Sequence, residues 1–453
     1  MSKPIGTQAV VIGAGIGGLS AAKALADYFA QVTVVDRDIL PGKPDPRRGT
    51  PQARHAHALL TGGCKALAEL FPSFEEDIER AGAIRTRTGL DIMWERPGYD
   101  PFPQRDLVRD NFCASRPLIG FTIRRALERA PNVKLRSRCR ATEFIAAPDG
   151  NRVTAVRCES AEGEFETLPA DVIVDASGRG VLTLSLLASI GDATPETSEI
   201  GVDEAYSTAI FEFPPDAPSD WKGLIHLPVH LPDPRHTGRG GLIIPIENNR
   251  WIVALGGRHG DTPPEDIEGF VACARTLRTA TVYNAIRNAK QVREIVRFRF
   301  PSSIRRHFER LERWPRGLIP LGDSLCRFNP AFGQGMTVAA QEARMLGRLL
   351  GSRSELADPL DGLARAFFAE VQELLEAPWG AAESDFAYPK TRGDRPPDLD
   401  ERFRFGAALT RLAAEDPDIH ALVTEVTSLV RPQSALRDSE LRSRVNELMA
   451  AGH

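Results

Sequence analysis

The stretch QAVVIGAGIGGLS, residues 8–20, decides the fold of this chain of 453 residues. Its first five residues form an apolar run typical of a buried strand, and glycines follow at once. Apolar residues at helical spacing come next, and residues 32–35 indicate a second strand. In such a unit Gly13 permits a tight turn, Gly15 lets the backbone approach a pyrophosphate, and Gly18 lets the helix pack closely on the strand. The pattern therefore predicts a dinucleotide-binding α/β domain.

An acidic residue stands where this kind of domain needs one. Asp36 ends the second strand about twenty residues after the glycines, where a carboxylate accepts hydrogen bonds from an adenosine ribose. Arg37 follows it, and is either a contact to the cofactor or a solvated arginine. This first patch does not by itself separate FAD from NAD.

A second patch, GLIPLGDSLCRFNPAFGQGMT at residues 317–337, resembles the distal FAD motif of aromatic-hydroxylase-type flavoprotein monooxygenases. In that motif a Gly-Asp pair precedes Pro-x-x-Gly-x-Gly and a helix. The resemblance implies that Asp323 hydrogen-bonds the ribityl chain, and that Gly335 and Met336 offer backbone N–H groups to the flavin's pyrimidine edge. A glycine-rich loop opening a helix also places the positive end of the helix dipole where a reduced flavin carries negative charge. FAD is the expected cofactor, and the motif residues assigned to it are Gly322, Asp323, Pro330, Gly333, Gly335 and Met336.

A third patch, PRRGTPQARHAHALL at residues 46–60, together with Arg116, resembles the bacterial flavin-dependent epoxidases of polyether-antibiotic biosynthesis. The resemblance extends through residues 175–180, 245–253 and 385–389, so it covers most of the chain and is weakest in the tail. It implies that an arginine of this loop and one of the segment after the third strand contact FAD, and the candidates are Arg48 and Arg116. Gln52 and Arg54 of the same loop are also assigned to the cofactor. The His-x-His pair at residues 55–57 has no third ligand nearby, and no metal is expected.

The chain departs from the single-component hydroxylases at residue 177. Those enzymes carry an Asp-Gly pair at this strand end, associated with the FAD pyrophosphate and with use of NAD(P)H, whereas Ser177 precedes Gly178 here. A second glycine-rich nucleotide motif is also missing from the sequence. We therefore expect NAD(P)H as the ultimate electron donor, with a separate flavin reductase as one hypothesis for its delivery.

The resemblance implies a monooxygenase that inserts one oxygen atom from O₂, through a flavin C4a-hydroperoxide, into a hydrophobic natural-product intermediate. Alkene epoxidation is the first expectation, on a polyketide, a terpenoid or a prenylated aromatic. The chemistry belongs to the cofactor, while the protein supplies position and a dry cavity. Candidate lining residues are Phe211, Phe213, Phe332 and Tyr388, and no catalytic base is assigned.

Other reactions on the same fold stay open. They are hydroxylation of an aromatic or indole ring, halogenation, prenyl-type alkene reduction and, from another class, a non-redox cyclase that uses FAD as a scaffold. Residues 241–245, GLIIP, lack the tryptophans of the halogenase signature Trp-x-Trp-x-Ile-Pro. The sequence therefore favours halogenation less than oxygen insertion. The complete distal motif argues against a degenerate flavin module.

The order of the patterns predicts a discontinuous arrangement. A Rossmann-like, glutathione-reductase-type FAD domain is expected from residues 1–80, 112–200 and 301–350. A β-sheet substrate domain is expected from residues 81–111 and 201–300, and a helical region from residues 351–453. Alternating segments broken by Pro and Gly, with a hairpin around residues 247–249, carry the sheet prediction.

Composition excludes several classes of protein. A net charge of -4 gives no strong indication of a basic surface for nucleic acid. The six cysteines include no Cys-x-x-Cys pair, which disfavours a zinc site and a disulfide framework. No apolar run is long enough for a membrane span, and the polar start lacks a secretory signal. A cytoplasmic protein is expected.

Overall fold

The computed structural model describes residues 4–108, 110–191, 193–215, 217–228 and 238–450. The described strands are β1 (Gly6–Ile12), β2 (Phe29–Val35), β3 (Ile84–Arg87), β4 (Ile92–Glu95), β5 (Asp110–Cys113), β6 (Val133–Arg136), β7 (Arg140–Ala146), β8 (Val153–Glu159), β9 (Phe165–Pro169), β10 (Val172–Asp175), β11 (Thr197–Glu212), β12 (Gly223–His226), β13 (Gly240–Ile246), β14 (Arg250–Arg258), β15 (Gln291–Arg306), β16 (Leu318–Pro320) and β17 (Cys326–Arg327).

The described helices are α1 (Ile16–Ala26), α2 (Thr61–Leu70), α3 (Phe74–Arg80), α4 (Arg116–Leu127), α5 (Val181–Ser189), α6 (Ile267–Ala274), α7 (Thr281–Ile286), α8 (Gly335–Arg353), α9 (Leu363–Glu383), α10 (Leu399–Glu415), α11 (Pro417–Thr427) and α12 (Ser439–Ala450). None of these helices is both long enough and apolar enough to cross a membrane.

A parallel sheet in the order β16-β10-β1-β2-β6 forms the first layer. The centre of β1 is an unbroken apolar run because both faces of the sheet are covered, and Ala9, Val10 and Val11 are buried. Helices α1, α2, α4 and α8 contribute the core on one face. The strands end in register, so the turns after β1, β2, β10 and β16 open at the same edge of the sheet. That edge is where ligands bind in open α/β sheets.

A second sheet, mixed and in the order β17-β15-β11-β14-β13-β12-β4, lies beyond this edge. One of its faces packs on α6 and α7 around a core that contains Trp251 and Phe270. Its short edge strand β17 belongs to the residue 317–337 motif, so this motif connects the two sheets. The hairpin predicted at residues 247–249 is confirmed, with Ile246 pairing with Arg250.

The α/β class predicted from the glycine unit is confirmed, including the helical C-terminal region. Helices α10, α11 and α12 enclose a core of their own. The three-stranded antiparallel sheet β7-β8-β9 packs beside β10. The division of the chain into three units at the stated boundaries stays a prediction.

Candidate functional site

The turn between β1 and α1 is packed on its inner side and open on its outer side. Gly13 has a φ of +96°, which favours glycine, and its N–H donates to the Val35 carbonyl over 2.8 Å. A Cβ on Gly18 would lie 1.8 Å from the Gly13 oxygen, whereas a Cβ on Gly15 would meet nothing within 4 Å. The start of α1 therefore offers free N–H groups and room for a phosphate.

Asp36 braces this turn. Its carboxylate accepts hydrogen bonds from the Ala14 N–H at 2.7 Å and the Asp38 N–H at 2.8 Å. Arg47 forms an ion pair with the same carboxylate at 2.9 Å and donates to the Ala14 carbonyl at 2.9 Å. The arginine that lies against the glycine turn is thus Arg47, which the sequence prediction passed over in favour of its neighbour Arg48.

The turn after β16 is held from beneath by α8. Gly322 has a φ of +64°, and its N–H donates to the Glu342 carboxyl over 2.5 Å. Arg306 donates to the Asp323 carbonyl at 3.3 Å and the Ser324 carbonyl at 3.1 Å. These contacts fix the backbone of the turn and do not involve the Asp323 carboxylate.

The Asp323 carboxylate accepts no hydrogen bond from any residue that the structure describes. Burial raises the pKa of this carboxyl to about 6, while Arg327, Arg306 and Arg116 act in the opposite direction. A Cβ on Gly335, the first residue of α8, would lie 3.9 Å from Asp323 Oδ1. An unpaired carboxylate next to a helix N-terminus with free N–H groups fits the hydroxyls of a ribityl chain and the polar edge of a flavin.

Arg116 lies close to this carboxylate, and His57 lies close to Arg116. Burial, together with Arg47, lowers the pKa of Arg116 to about 10, and Asp323 opposes this shift. His57 Nδ1 lies 3.0 Å from the His55 carbonyl, which can only accept, so this nitrogen carries the proton. Burial lowers the pKa of His57 to about 4, and Arg116 lowers it further, so the ring is neutral near pH 7. No cluster of metal-ligand residues occurs in the described part of the chain.

The structure thus brings most predicted cofactor residues to one edge. The predicted residues that belong to these turns or to their immediate neighbours are Gly13, Gly15, Gly18, Asp36, Gly322, Asp323, Gly333, Gly335, Met336 and Arg116. Arg37, Arg48 and Pro330 are exposed, and Gln52 is half-buried in a short 3-10 turn. None of these four contacts the glycine turn after β1 as Arg47 does.

A cavity of about 790 Å³ lies between the 44–54 loop, the start of α4 and the open face of the second sheet. Its inner wall is apolar, with Ile210, Ile252 and Val296 from three neighbouring strands. Thr208 at this wall is 2.8 Å from His55 Nδ1, which links the cavity to the loop that carries His57. The lining also contains charged and amide side chains, namely Arg54, Glu247, Asn248, Arg250, Arg293 and Glu294.

The predicted lining residues Phe211 and Phe213 do not line this cavity. Successive side chains of a strand point to opposite faces, and it is Thr208 and Ile210 that face the cavity. Phe211 instead packs on Phe270, with ring centroids 6.4 Å apart, in the core of the second sheet. Phe332 and Tyr388 do not line the cavity either, since Tyr388 is buried against the guanidinium of Arg258.

Glu342 provides a pH test of this site. Burial raises the pKa of Glu342 to about 8, while the Gly322 N–H opposes the rise. A carboxyl with a raised folded-state pKa holds its proton more tightly when folded, so stability falls as pH rises from its ordinary value of 4.5 towards 8. Glu342→Gln keeps an acceptor for Gly322 and cannot ionise. Over this window the wild type should lose up to about 1.4 kcal/mol per pH unit relative to the variant, measured by urea unfolding. Parallel pH curves would contradict it.

Comparison with known proteins shows the family to which the chain belongs. A family profile described as FAD dependent oxidoreductase matches residues 8–116, the segment that contains the first glycine turn and Arg116. Protein Rv3254 of Mycobacterium tuberculosis (strain ATCC 25618 / H37Rv) is 32% identical over 356 residues, which are 77% of this chain and 73% of that protein.

Solved structures share the fold at low sequence identity. The p-nitrophenol 4-monooxygenase PnpA from Pseudomonas putida DLL-E4 superposes with a TM-score of 0.65 at 16% identity, covering 94% of this chain and 99% of PnpA. A triple variant of the flavin-dependent brominase Bmp2 superposes with a TM-score of 0.65 at 15% identity, covering 97% and 98% of the two chains. At such identities the likeness concerns the fold.

Proposed function

Since the chain belongs to the FAD-dependent oxidoreductases, in one family with Rv3254, we propose that it is a monooxygenase that acts on an apolar small molecule. The reaction we propose first is epoxidation of an alkene in a natural-product intermediate, as in the polyether epoxidases that its motifs resemble. The observation that carries this proposal is the cavity of about 790 Å³, whose apolar wall lies opposite the 44–54 loop that carries Arg47.

FAD, once reduced, supplies the activation of O₂, and the protein supplies the surroundings. The open N-terminus of α1 at Gly15 would hold the pyrophosphate, and Asp323 would hold the ribityl chain. The apolar wall at Ile210 and Ile252 would exclude water from the substrate's reacting carbons.

The lining of the cavity favours a reaction that needs no strong base. Glu247 accepts hydrogen bonds from both the N–H and the hydroxyl of Ser115, so its carboxylate already has partners. Glu294, the other lining acid, is exposed. Electrophilic oxygen transfer to an alkene requires no proton abstraction from the substrate, unlike hydroxylation assisted by a phenolate.

Labelled dioxygen tests the proposed reaction. The FAD-loaded protein, with NADH and a flavin reductase, is incubated with terpenes, polyene acids and prenylated phenols under ¹⁸O₂. Mass spectrometry should find one ¹⁸O atom in an epoxide. A hydroxylated arene, a brominated product in the presence of bromide, or a saturated alkene without label would instead establish one of the alternative reactions. A cyclised product formed without oxygen uptake would establish a scaffolded cyclase.

The source of electrons is tested separately. Ser177 stands where the single-component hydroxylases carry an aspartate, which supports the proposal that a separate reductase delivers reduced flavin. Stopped-flow mixing of the holoprotein with NADPH should therefore leave the flavin oxidised for many turnover times. Rapid bleaching without any partner protein would show direct reduction.

Filling the cavity should abolish turnover without removing the cofactor. Ile210→Trp places a large ring on the apolar wall, so substrate-dependent ¹⁸O incorporation should fall at least about tenfold. The FAD content should match that of the wild type. Ile267→Trp, the same exchange at the start of α6 and 37% exposed, is the matched control and should keep full activity. Full activity of Ile210→Trp would show that the substrate binds elsewhere.

A further inference from the structure

A buried group of polar side chains lies outside the cavity and beneath the residue 329–335 loop. Glu204, Arg258, Asn329 and Asp385, called here the Asn329 cluster, are 5%, 8%, 0% and 1% exposed. They come from β11, from β14, from the loop itself and from the 3-10 turn Ser384–Ala387 that follows α9. The cluster thus joins the second sheet and the C-terminal region to the proposed flavin loop.

Asn329 uses all of its hydrogen-bonding groups. Its Nδ2 donates to Glu204 Oε2 at 2.7 Å and to Asp385 Oδ2 at 2.9 Å. Its Oδ1 accepts from the Ala331 N–H at 3.0 Å, and its backbone N–H donates to Ser303 Oγ at 3.0 Å. Two carboxylates therefore fix the rotation of one amide, and that amide in turn fixes the backbone of the turn that follows it.

The charges of the cluster are unequal. The Arg258 guanidinium is 3.2 Å from Asp385 Oδ1 and 3.3 Å from Glu204 Oε2, so one cation serves two buried carboxylates. Burial raises the pKa of Asp385 to about 6, Arg258 opposes the rise and Glu204 adds to it. Burying excess charge costs stability, and a site that serves packing alone could be apolar.

The strand geometry at Glu204 is also irregular. The pairing of β11 with β15 shifts between Gly201 and Glu204, and Asp203 has a φ of +44°. A bulge of this kind changes the direction of the side chain that follows it. Here it directs Glu204 toward Asn329, which is 125 residues away in the sequence.

We propose that Glu204 and Asp385 are positioning residues for FAD, acting through Asn329 to hold the 329–335 loop in the shape that binds the flavin ring. The proposal rests on the proposed placement of the flavin at this loop. It extends the cofactor site to two carboxylates, one from β11 and one from the 3-10 turn that follows α9.

Asp385→Asn tests this with the holoprotein and the apoprotein. Asp385 accepts from Arg258 through one oxygen and from Asn329 through the other, and an amide has only one oxygen to offer. The variant leaves Arg258 and Glu204 as a one-to-one pair, so the fold should not suffer. We expect the dissociation constant of FAD to rise roughly tenfold, the value of one hydrogen bond to a charged group. The absorption bands of the bound flavin should shift, and the apoprotein should melt within about 2 °C of the wild type.

Two further variants keep the result interpretable. Glu204→Gln removes the other carboxylate from a different element and should have the same effect on FAD. Asp261→Asn is the matched control, because Asp261 also pairs with an arginine, Arg239, at 2.7 Å and does not touch the loop. If both cluster variants bind FAD with wild-type affinity and spectrum, or lose only melting temperature, the carboxylates are structural and the proposal is wrong. These binding measurements involve no oxygen transfer, so their failure is distinct from failure of the monooxygenase reaction.

The pH dependence of the bound flavin's spectrum gives a readout that packing alone would not move. The groups that face Asp385 are Arg258, Glu204 and Tyr388, with His259 bonded to Thr391 on the following turn. Between about pH 5 and pH 8 the wild-type spectrum should show a step as Asp385 ionises. Because the pKa of Asp323 is also raised to about 6 and that of Glu342 to about 8, the step should become smaller in Asp385→Asn by the part that Asp385 contributes, and should be unchanged in His259→Gln. A step that survives Asp385→Asn unchanged would overturn the proposal.

Discussion

Gly15→Val will leave this protein folded and remove its FAD. The φ of Gly15 is -75°, a value that any residue adopts, and a Cβ at this position meets nothing within 4 Å. The valine side chain would therefore cost the fold little and would occupy the space at the N-terminus of α1 where the pyrophosphate is proposed to bind. We expect the affinity for FAD to fall at least about 100-fold, or about 2.7 kcal/mol, by fluorescence titration of the apoprotein.

Two glycines serve as controls for this result. Gly380→Val is the same exchange at an open, exposed position in α9 and should bind FAD as the wild type does. Gly18→Val should fail to fold, because its Cβ would lie 1.8 Å from the Gly13 oxygen. Wild-type affinity in Gly15→Val would mean that the phosphates bind away from α1.

Arg258→Met should destabilise the protein more than any other single exchange in the second sheet. It removes the cation and leaves the carboxylates of Glu204 and Asp385 buried together, a change that costs about 3–5 kcal/mol in other proteins. The loss should be largest near pH 8 and smaller near pH 5, because Arg258 opposes the raised pKa of Asp385, and without Arg258 this carboxyl binds its proton more readily on acidification. Urea unfolding of the apoprotein at the two pH values measures it.

Removing the carboxylates should reverse most of this loss. The triple variant Arg258→Met, Glu204→Gln, Asp385→Asn contains no buried charge in the cluster and should recover stability near pH 8. A loss for Arg258→Met that is below about 1 kcal/mol, or equal at both pH values, would show that the cluster is hydrated in solution.

The local patterns in the sequence were enough to predict the first strand-helix-strand unit and its glycine turn. An apolar run, glycines at fixed spacing and an acidic strand end specify β1, α1, β2 and the position of Asp36, because these contacts are short in sequence. The second glycine turn was equally predictable from the sequence, since Gly322, Asp323 and Gly335 lie within one motif.

Side-chain direction was less predictable where it depends on distant partners. Arg47 and Arg48 are adjacent and chemically identical, and only the path of the loop decides which one reaches Asp36. Phe211 packs on the face that α6 and α7 cover, and alternation along β11 shows two faces without showing which one is covered. The contacts of the Asn329 cluster were not predictable from local patterns, since its hydrogen bonds span 56, 125 and 127 residues.

The central claim is that two glycine turns from distant parts of the chain hold one cofactor. A crystal structure of the protein with FAD bound tests this claim most directly. The account predicts a single extended FAD per chain, with its pyrophosphate at the Gly15 N–H, its ribityl hydroxyls on Asp323 and its pyrimidine edge at Gly335 and Met336. A flavin whose pyrophosphate lies away from α1, or whose ribityl chain does not meet Asp323, would contradict it.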